Sequence, residues 1–242
     1  MKQPLKDTQF NFKRYEVKYL LTEEKYNRFM ERAEEHLVPD EYHLSNILSI
    51  YYDTDDFRLL RESIEKPVYK EKLRVRSYGI PDEESNVFVE LKKKYKGVVY
   101  KRRVQMKAGE ASQWLSGESS APYENQITRE IDWFLKQNPV VPRAFIGSSR
   151  ISWADRENPE LRITFDEQIT WRDKNLSLTA GDEGEQLLEN GMRLMEIKIP
   201  GAAPMWLAAI LSEEGIFPTG FSKYGSCYKK ELINQREWKY VE

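Results

Sequence analysis

The chain is short of the residues on which many folds and active sites depend. It has one cysteine, Cys227, in 242 residues, so no internal disulfide can brace it. The lone thiol reads as a packing residue, and a reducing, cytoplasmic setting is expected. There are two histidines, His36 and His43, one ending an amphipathic segment and one just beyond it. Neither stands in a zinc-binding or Ser/His/Asp spacing, and both read as structural. No GxxxxGK[ST] phosphate loop occurs. The opening MKQPLKDTQF lacks an apolar signal-peptide core, and the most apolar window, AAPMWLAAIL at 202–211, is about half the length a membrane helix needs. Net charge is scarce too: 38 Lys and Arg oppose 40 Asp and Glu, a formal −2, which gives no overall case for nucleic acid as a partner.

What is present is enough apolar surface for one sizeable core, with 40% hydrophobic and 12% aromatic residues, and no interdomain linker or repeat. We expect a single domain over 1–242, its core at about 10–235. Alternation predicts strands at 10–21, 46–53, 71–78, 87–94, 98–107, 143–155, 161–172 and 193–199. Lys96–Gly97 reads as a hairpin tip. Helical spacing predicts a helix after the Thr22 cap that ends before Pro39, a short helix or turn in TDDFRLLR, and helix over much of 108–138. Pro204 opens a short apolar helix, and helix formers run from Tyr224 to Trp238. Residues 173–191 read as loop or hairpin. Most strands follow one another by hairpins, so the sheet should be antiparallel with helices around it, an α+β architecture. Tyr15, Tyr19, Tyr100, Trp171 and Trp206 read as packing residues.

The strands have an unusual second face. Opposite the apolar positions lie Arg14, Glu16 and Lys18; Lys72, Arg74 and Arg76; Glu90, Lys92 and Lys94; Lys101 and Arg103; Arg162, Thr164 and Asp166; Glu196 and Lys198. With Arg172 and Lys223 these faces hold thirteen basic and four acidic residues, a net +9 inside a chain of −2. Charge is therefore segregated. Two destinations suit such faces. If they point to water, the protein is a sheet with a basic outer surface. If the sheet closes into a barrel, the lumen holds like charges that need water and a bound polyanion. Arginine grips phosphate oxygens in pairs and lysine acts as a point charge, so the second arrangement is a phosphate tunnel. Glu16, Glu90 and Glu196 each precede a lysine by two residues, which reads either as neutralising pairs or as ligands for a divalent metal held together with phosphate.

The phrases FKRYEVKYLL (12–21), SIYYDT (49–54), KLRVRSYG (72–79), VFVELKKK (87–94), RITFD (162–166), LMEIKIP (194–200) and FSKYGSCY (221–228) together resemble the vacuolar transporter chaperone (VTC) domain. That domain is the polyphosphate polymerase branch of the CYTH-like triphosphate tunnel metalloenzymes. The resemblance implies a closed antiparallel β-barrel of about eight strands with a basic lumen and surrounding helices. It also implies metal-dependent transfer of the terminal phosphate of ATP to a growing polyphosphate chain, releasing ADP, with Mn²⁺ or Mg²⁺ as cofactor. Matched to the family's motifs, Lys18, the Arg74/Arg76 pair, Lys92 and Lys223 are the catalytic candidates. Arg162 resembles a further triphosphate contact, and Lys198 joins them from the charged face. Phosphate-binding candidates are Ser222 and Arg172 from the resemblance, and Arg14, Lys72, Lys94, Lys101 and Arg103 from alternation. The metal candidates are Glu196, Glu16 and Glu90.

The match has departures. The wider family opens with ExExK, whereas Arg14–Tyr15–Glu16–Val17–Lys18 has a base in the first position, which resembles the VTC branch more than the hydrolytic ones. The expected partners are ATP or another triphosphate and inorganic polyphosphate or pyrophosphate, with room for a separate membrane partner; the oligomeric state is open. Two alternatives remain at this level: a triphosphatase with water as acceptor in the same tunnel, and a polyphosphate- or nucleotide-binding domain without turnover.

Overall fold

The computed structural model describes residues 15–238 apart from Lys66 and Gly97, with side chains described to Lys230. Nine strands are formed: β1 (Tyr15–Leu21), β2 (Leu37–Asp53), β3 (Tyr69–Tyr78), β4 (Asn86–Tyr95), β5 (Val98–Lys107), β6 (Val141–Asp155), β7 (Arg162–Arg172), β8 (Glu185–Gln186) and β9 (Arg193–Ile199). The helices are α1 (Glu23–Ala33), α2 (Arg58–Ile64), α3 (Ala108–Ser116), α4 (Gln126–Gln137), α5 (Met205–Glu213) and α6 (Lys223–Trp238). All ladders are antiparallel, in the order β1-β9-β7-β6-β2-β3-β4-β5, with β8 added to β7.

Local chemistry accounts for the element ends. Thr22 caps α1 by accepting the Lys25 N–H at 3.3 Å, with Glu23 and Glu24 in the positively polarised first turn. Asn125 caps α4 through the Thr128 N–H at 2.9 Å, splitting the single helical interval expected at 108–138 into two helices. The largest difference from the sequence reading is β2. Residues 37–45, read as helix end and loop, extend the strand to 17 residues because the late part of β6 offers a partner, with Val38 opposite Ala154 and Leu44 opposite Ile151. The expected strand start at 10–14, with Arg14, lies outside the described residues.

The two sheet faces part as the alternation requires. On the outer face, Leu73, Val75, Val89, Leu91 and Val104 pack under Trp114, Ile131 and Phe134 of α3 and α4. At the other end of the strand order, Phe165, Met195 and Ile197 pack under Phe29 of α1 and Leu207 of α5. The opposite face is concave. Lys92 on β4 lowers the pKa of Lys198 on β9, and Lys18 on β1 lowers that of Lys72 on β3. Each pair is separated by five steps in the strand order, about 24 Å in a flat sheet, well past the screening length of about 8–10 Å. The sheet is therefore rolled, with the basic faces inside. Its hydrogen-bond path has two ends, β1 and β5, so the roll is not closed by a ladder.

One end of the roll has a floor. Ala144, Ile146, Ile169, Trp171 and Leu194 meet Tyr224 and Cys227 of α6 together with Phe57 and Leu60. Asp53 fixes this floor: its carboxylate accepts the N–H groups of Leu59 and Leu60 at 3.0 Å each and the Tyr224 hydroxyl at 3.0 Å. Cys227 is buried here as a packing residue.

Candidate functional site

Above the floor the inward side chains form two carboxylate-centred groups. The first is on β3, β4 and β5. Register places Arg74 opposite Glu90 and Glu90 opposite Arg103. Glu90 is 1% exposed; it accepts Arg74 Nε at 2.7 Å and Arg103 Nε at 2.6 Å, and Lys101 Nζ lies at 2.7 Å. Burial pushes this carboxyl up, but Arg74, Arg76 and Lys101 outweigh it and hold it far below the usual carboxylate range. Both oxygens are committed to cations, so Glu90 is withdrawn from the metal candidates. It stops Arg74, Arg103 and Lys101 from repelling one another.

The second group spans β6, β7, β9, β1 and α6. Arg150 grips Asp166 with two bonds, Nε at 2.5 Å and Nη2 at 2.7 Å, and Lys223, the first residue of α6, reaches the same carboxylate at 2.6 Å and Ser148 at 3.1 Å. Glu196 binds Lys18 at 3.0 Å, while its other oxygen has Arg150 only at 3.7 Å. Burial raises the Asp166 carboxyl, but Lys223 and Arg150 outweigh it; for Glu196 burial is outweighed by Lys18 and Arg150, so both stay ionised. For Glu90 and Glu196, pairing with the lysine two positions on, one of the two readings of their spacing, is replaced by pairing across strands. Same-face neighbours along a strand are about 6.8 Å apart, whereas cross-strand partners are about 5 Å apart.

Lys72, Arg76, Lys92 and Lys198 line the space between the groups, each half-buried. Burial, with Lys70, Lys92 and Lys18 nearby, pushes Lys72 down to about 8. Burial and Arg150 likewise lower Lys198, and burial and Arg74 lower Arg76. Lys72, Arg76 and Lys92 have no carboxylate in register and only Lys198 faces one, Glu16; such crowded cations are what a polyanion would relieve. Lys94 shares their face at the β4–β5 end and is exposed, and Arg162 is at the opposite end, bridged to Asp40 at 3.3 Å. Ser222 is the cap of α6: its oxygen accepts the Gly225 N–H at 3.2 Å.

Arg172 is not in this lumen. Its guanidinium donates to the carbonyls of Asn175, Ser177, Gly181 and Glu183 at 2.6–3.2 Å and stacks over Phe145 at 3.6 Å. It organises the loop after β7 on the outer face and is withdrawn from the phosphate contacts.

Besides Asp166, which alternation puts on the charged face without a role, Arg150 and Tyr51 are lumen residues that were not among the sequence candidates. Arg150 is flanked on its own face by Ser148 and Ser152, so no run of charge marked it; a lone arginine on a small-polar strand face was the available signal. Tyr51 accepts Arg74 Nη1 at 2.9 Å and stacks on Tyr224 at 4.8 Å. Burial raises its hydroxyl, but Arg74 and Arg76 outweigh this and bring it to about 8.

For a divalent cation, no group of three His, Cys, Asp or Glu side chains converges among the described residues. The Glu196 oxygen turned away from the 3.0 Å Lys18 contact has Arg150 at 3.7 Å, and Glu16 lies on the adjacent strand, its backbone paired with Lys198. Magnesium-like ions need only one or two carboxylates when phosphate oxygens and water complete the shell. The donor set fits a cation carried in with phosphate. A separate cavity of about 530 Å³ beside the 182–193 loop is lined by Glu23, Glu167, Asp182 and Glu189 along with Arg193, a lining that repels polyanions.

Comparison with known proteins agrees with this geometry. No curated protein matches the chain by sequence. Among solved structures, a candidate adenylate cyclase of Bacillus halodurans matches with TM-score 0.51 and 16% identity, covering 86% of this chain and 92% of that one. An adenylyl cyclase candidate of Hippeastrum, described as revealing a dominant triphosphatase activity, matches with TM-score 0.49 and 15% identity over 86% of this chain and 92% of that one. At 16% identity the likeness to the Bacillus halodurans protein is one of fold. No helix among the described residues is long and apolar enough to cross a membrane. The VTC domain profile matches residues 13–232; with its rolled antiparallel sheet and inward cations, the chain belongs to the VTC domain family.

Proposed function

We propose that the protein is a metal-dependent phosphotransferase that moves the terminal phosphate of ATP onto an inorganic polyphosphate chain and releases ADP. The observation that carries this reading is the state of the lumen carboxylates. Glu90 and Asp166 are fully engaged by cations and Glu196 is bound by Lys18, so none stands ready to take a proton. A phosphate-chain terminus is already ionised and needs no base, whereas water does.

In this reading Arg74, Arg76, Lys72 and Lys92 hold the triphosphate from one wall, and Lys18, Lys198 and Arg150 from the other. Lys223 sets the depth at the floor, and Arg162 and Lys94 meet the chain at opposite ends of the lumen. A terminal oxygen of the polyphosphate forms a bond to the γ-phosphorus as the bond from that phosphorus to the β-bridging oxygen breaks. The electron pair leaves on ADP. The cations are already in place where charge develops on the leaving oxygen, which is the main rate gain available to such a site. Glu196, with Glu16, would hold Mn²⁺ or Mg²⁺, which neutralises phosphate charge.

A second reading rests on Tyr51. Its hydroxyl is brought to about 8 beside Arg74, and the phenolate formed on its ionisation could accept a proton from water, which favours a triphosphatase. The deciding experiment incubates the protein with ATP, Mn²⁺ or Mg²⁺ and a pyrophosphate primer, and resolves the products by gel. Long chains with equimolar ADP, lost in Glu196→Gln, are expected; free phosphate without chains selects the hydrolase. No turnover with tight polyphosphate binding leaves a binding domain.

A further inference from the structure

We infer that the protruding end of β3, β4 and β5 is a docking surface for an anionic lipid bilayer. The helix layer on the outer face stops at Leu91 and Arg102, where Glu130 of α4 takes Lys93 at 3.2 Å and Arg102 at 3.1 Å. Beyond that line the three strands continue uncovered. Tyr69 is opposite Tyr95 and Tyr95 opposite Val98; these three, with Val68, Val99 and Tyr100, are all exposed. Tyr69, Tyr95, Val98 and Tyr100 share one face of this tip, with Val99 on the other, and a contiguous apolar patch of this kind marks an interaction site.

Charge identifies the occupant. The tip itself, residues 68–70 and 94–100, contains Lys70, Lys94 and Lys96 and no acid, and the neighbouring Glu71 accepts the Tyr69 hydroxyl at 2.6 Å. Lys96 sits over the Tyr95 ring at 5.4 Å. Tyrosine and valine at a tip, ringed by lysines on long stems, suit the boundary where acyl chains meet negative headgroups. A second copy fits less well. β5 is an edge strand, and pairing it antiparallel with another β5 would set Lys101 and Arg103 of both copies together. Nucleic acid would leave Val68, Val98 and Val99 without stacking partners.

The test is flotation of the full chain with vesicles of phosphatidylglycerol and phosphatidylcholine in equal parts, beside pure phosphatidylcholine, with and without saturating tripolyphosphate. Binding to the anionic vesicles alone is expected, and it should persist in tripolyphosphate because Tyr69, Tyr95 and Val98 lie on the face turned away from the lumen. Val98→Asp and Tyr95→Ser should each lower the affinity at least tenfold, and Lys96→Ala about fivefold. All three should keep wild-type tripolyphosphate affinity, which shows that they fold. The inference fails if no flotation occurs, if Val98→Asp floats like wild type, or if tripolyphosphate releases the protein. It fails equally if light scattering shows a dimer that Val98→Asp dissolves, or if the tip residues are instead needed for RNA binding.

Discussion

The two carboxylate groups of the lumen face each other and solve different problems. Around Glu90 one carboxylate serves Arg74, Arg103 and Lys101, and both its oxygens are used up. Around Asp166 and Glu196 two carboxylates share Arg150, Lys223 and Lys18, and one Glu196 oxygen is left with a 3.7 Å neighbour. The first wall is a closed ion cluster that presents Arg74 and Arg76 rigidly. The second has spare anionic capacity, which a cation arriving with phosphate could use. A glutamate in a strand is thus saturated or only partly engaged according to how many cations its neighbours bring, and sequence spacing does not tell the two apart.

Breaking the first wall should have the largest effect. Glu90→Gln leaves three cations without their buried partner and is expected to lower stability by about 3–5 kcal/mol, read as a fall in the denaturant midpoint. A midpoint close to wild type would mean that the cluster holds nothing together. On the second wall, Arg150→Ala should weaken tripolyphosphate binding by roughly ten- to a hundredfold in calorimetry; an unchanged affinity would remove Arg150 from the site.

The space between the walls should respond to pH. Lys72 is held at about 8 by burial and neighbouring lysines, so its charge is present below that value and lost as pH rises through it. Tyr51, also near 8, becomes anionic over the same interval and adds repulsion. Affinity for tripolyphosphate should therefore fall about tenfold from pH 7 to pH 9, and Lys72→Arg should flatten the profile. A flat wild-type profile would contradict the crowding described between the walls. The smallest effect is expected outside both: Arg172→Lys should leave tripolyphosphate affinity within about twofold while loosening the loop after β7, at a cost of about 1 kcal/mol. A large loss of affinity would put Arg172 back in the lumen.

That last residue shows where the sequence could be read and where it could not. Period-two alternation placed Lys18, Lys72, Arg74, Arg76, Lys92 and Lys198 on one face because their strands are regular. β7 is not. Its register against β6 shifts between Gly147 and Ser149, and Gln168 has φ 48. One extra residue at this bulge turns every later side chain to the other face, so Asp166 points in and Arg172 points out although both numbers are even. The partners of Glu90 were less legible: they come from the neighbouring hairpin strands β3 and β5, and which residues stand opposite is set by the hairpin register, not by spacing within one strand. The antiparallel α+β architecture, carried by hairpins and helix caps, was legible throughout. The length of β2 was not, because residues 37–45 take their conformation from β6.

The floor set by α6 has a consequence for how the molecule is made. β1 finds its partner in β9, 172 or more positions further along the chain, and Lys223 and Tyr224 follow every strand. Until they emerge from the ribosome, Asp166 lacks its lysine and Asp53 its tyrosine, and the apolar ends of β6, β7 and β9 have nothing above them. Contacts this distant in sequence form slowly. The sheet thus stays half-roofed and highly charged between the making of β9 and that of residues 223 and 224, and the lumen is completed in a single step.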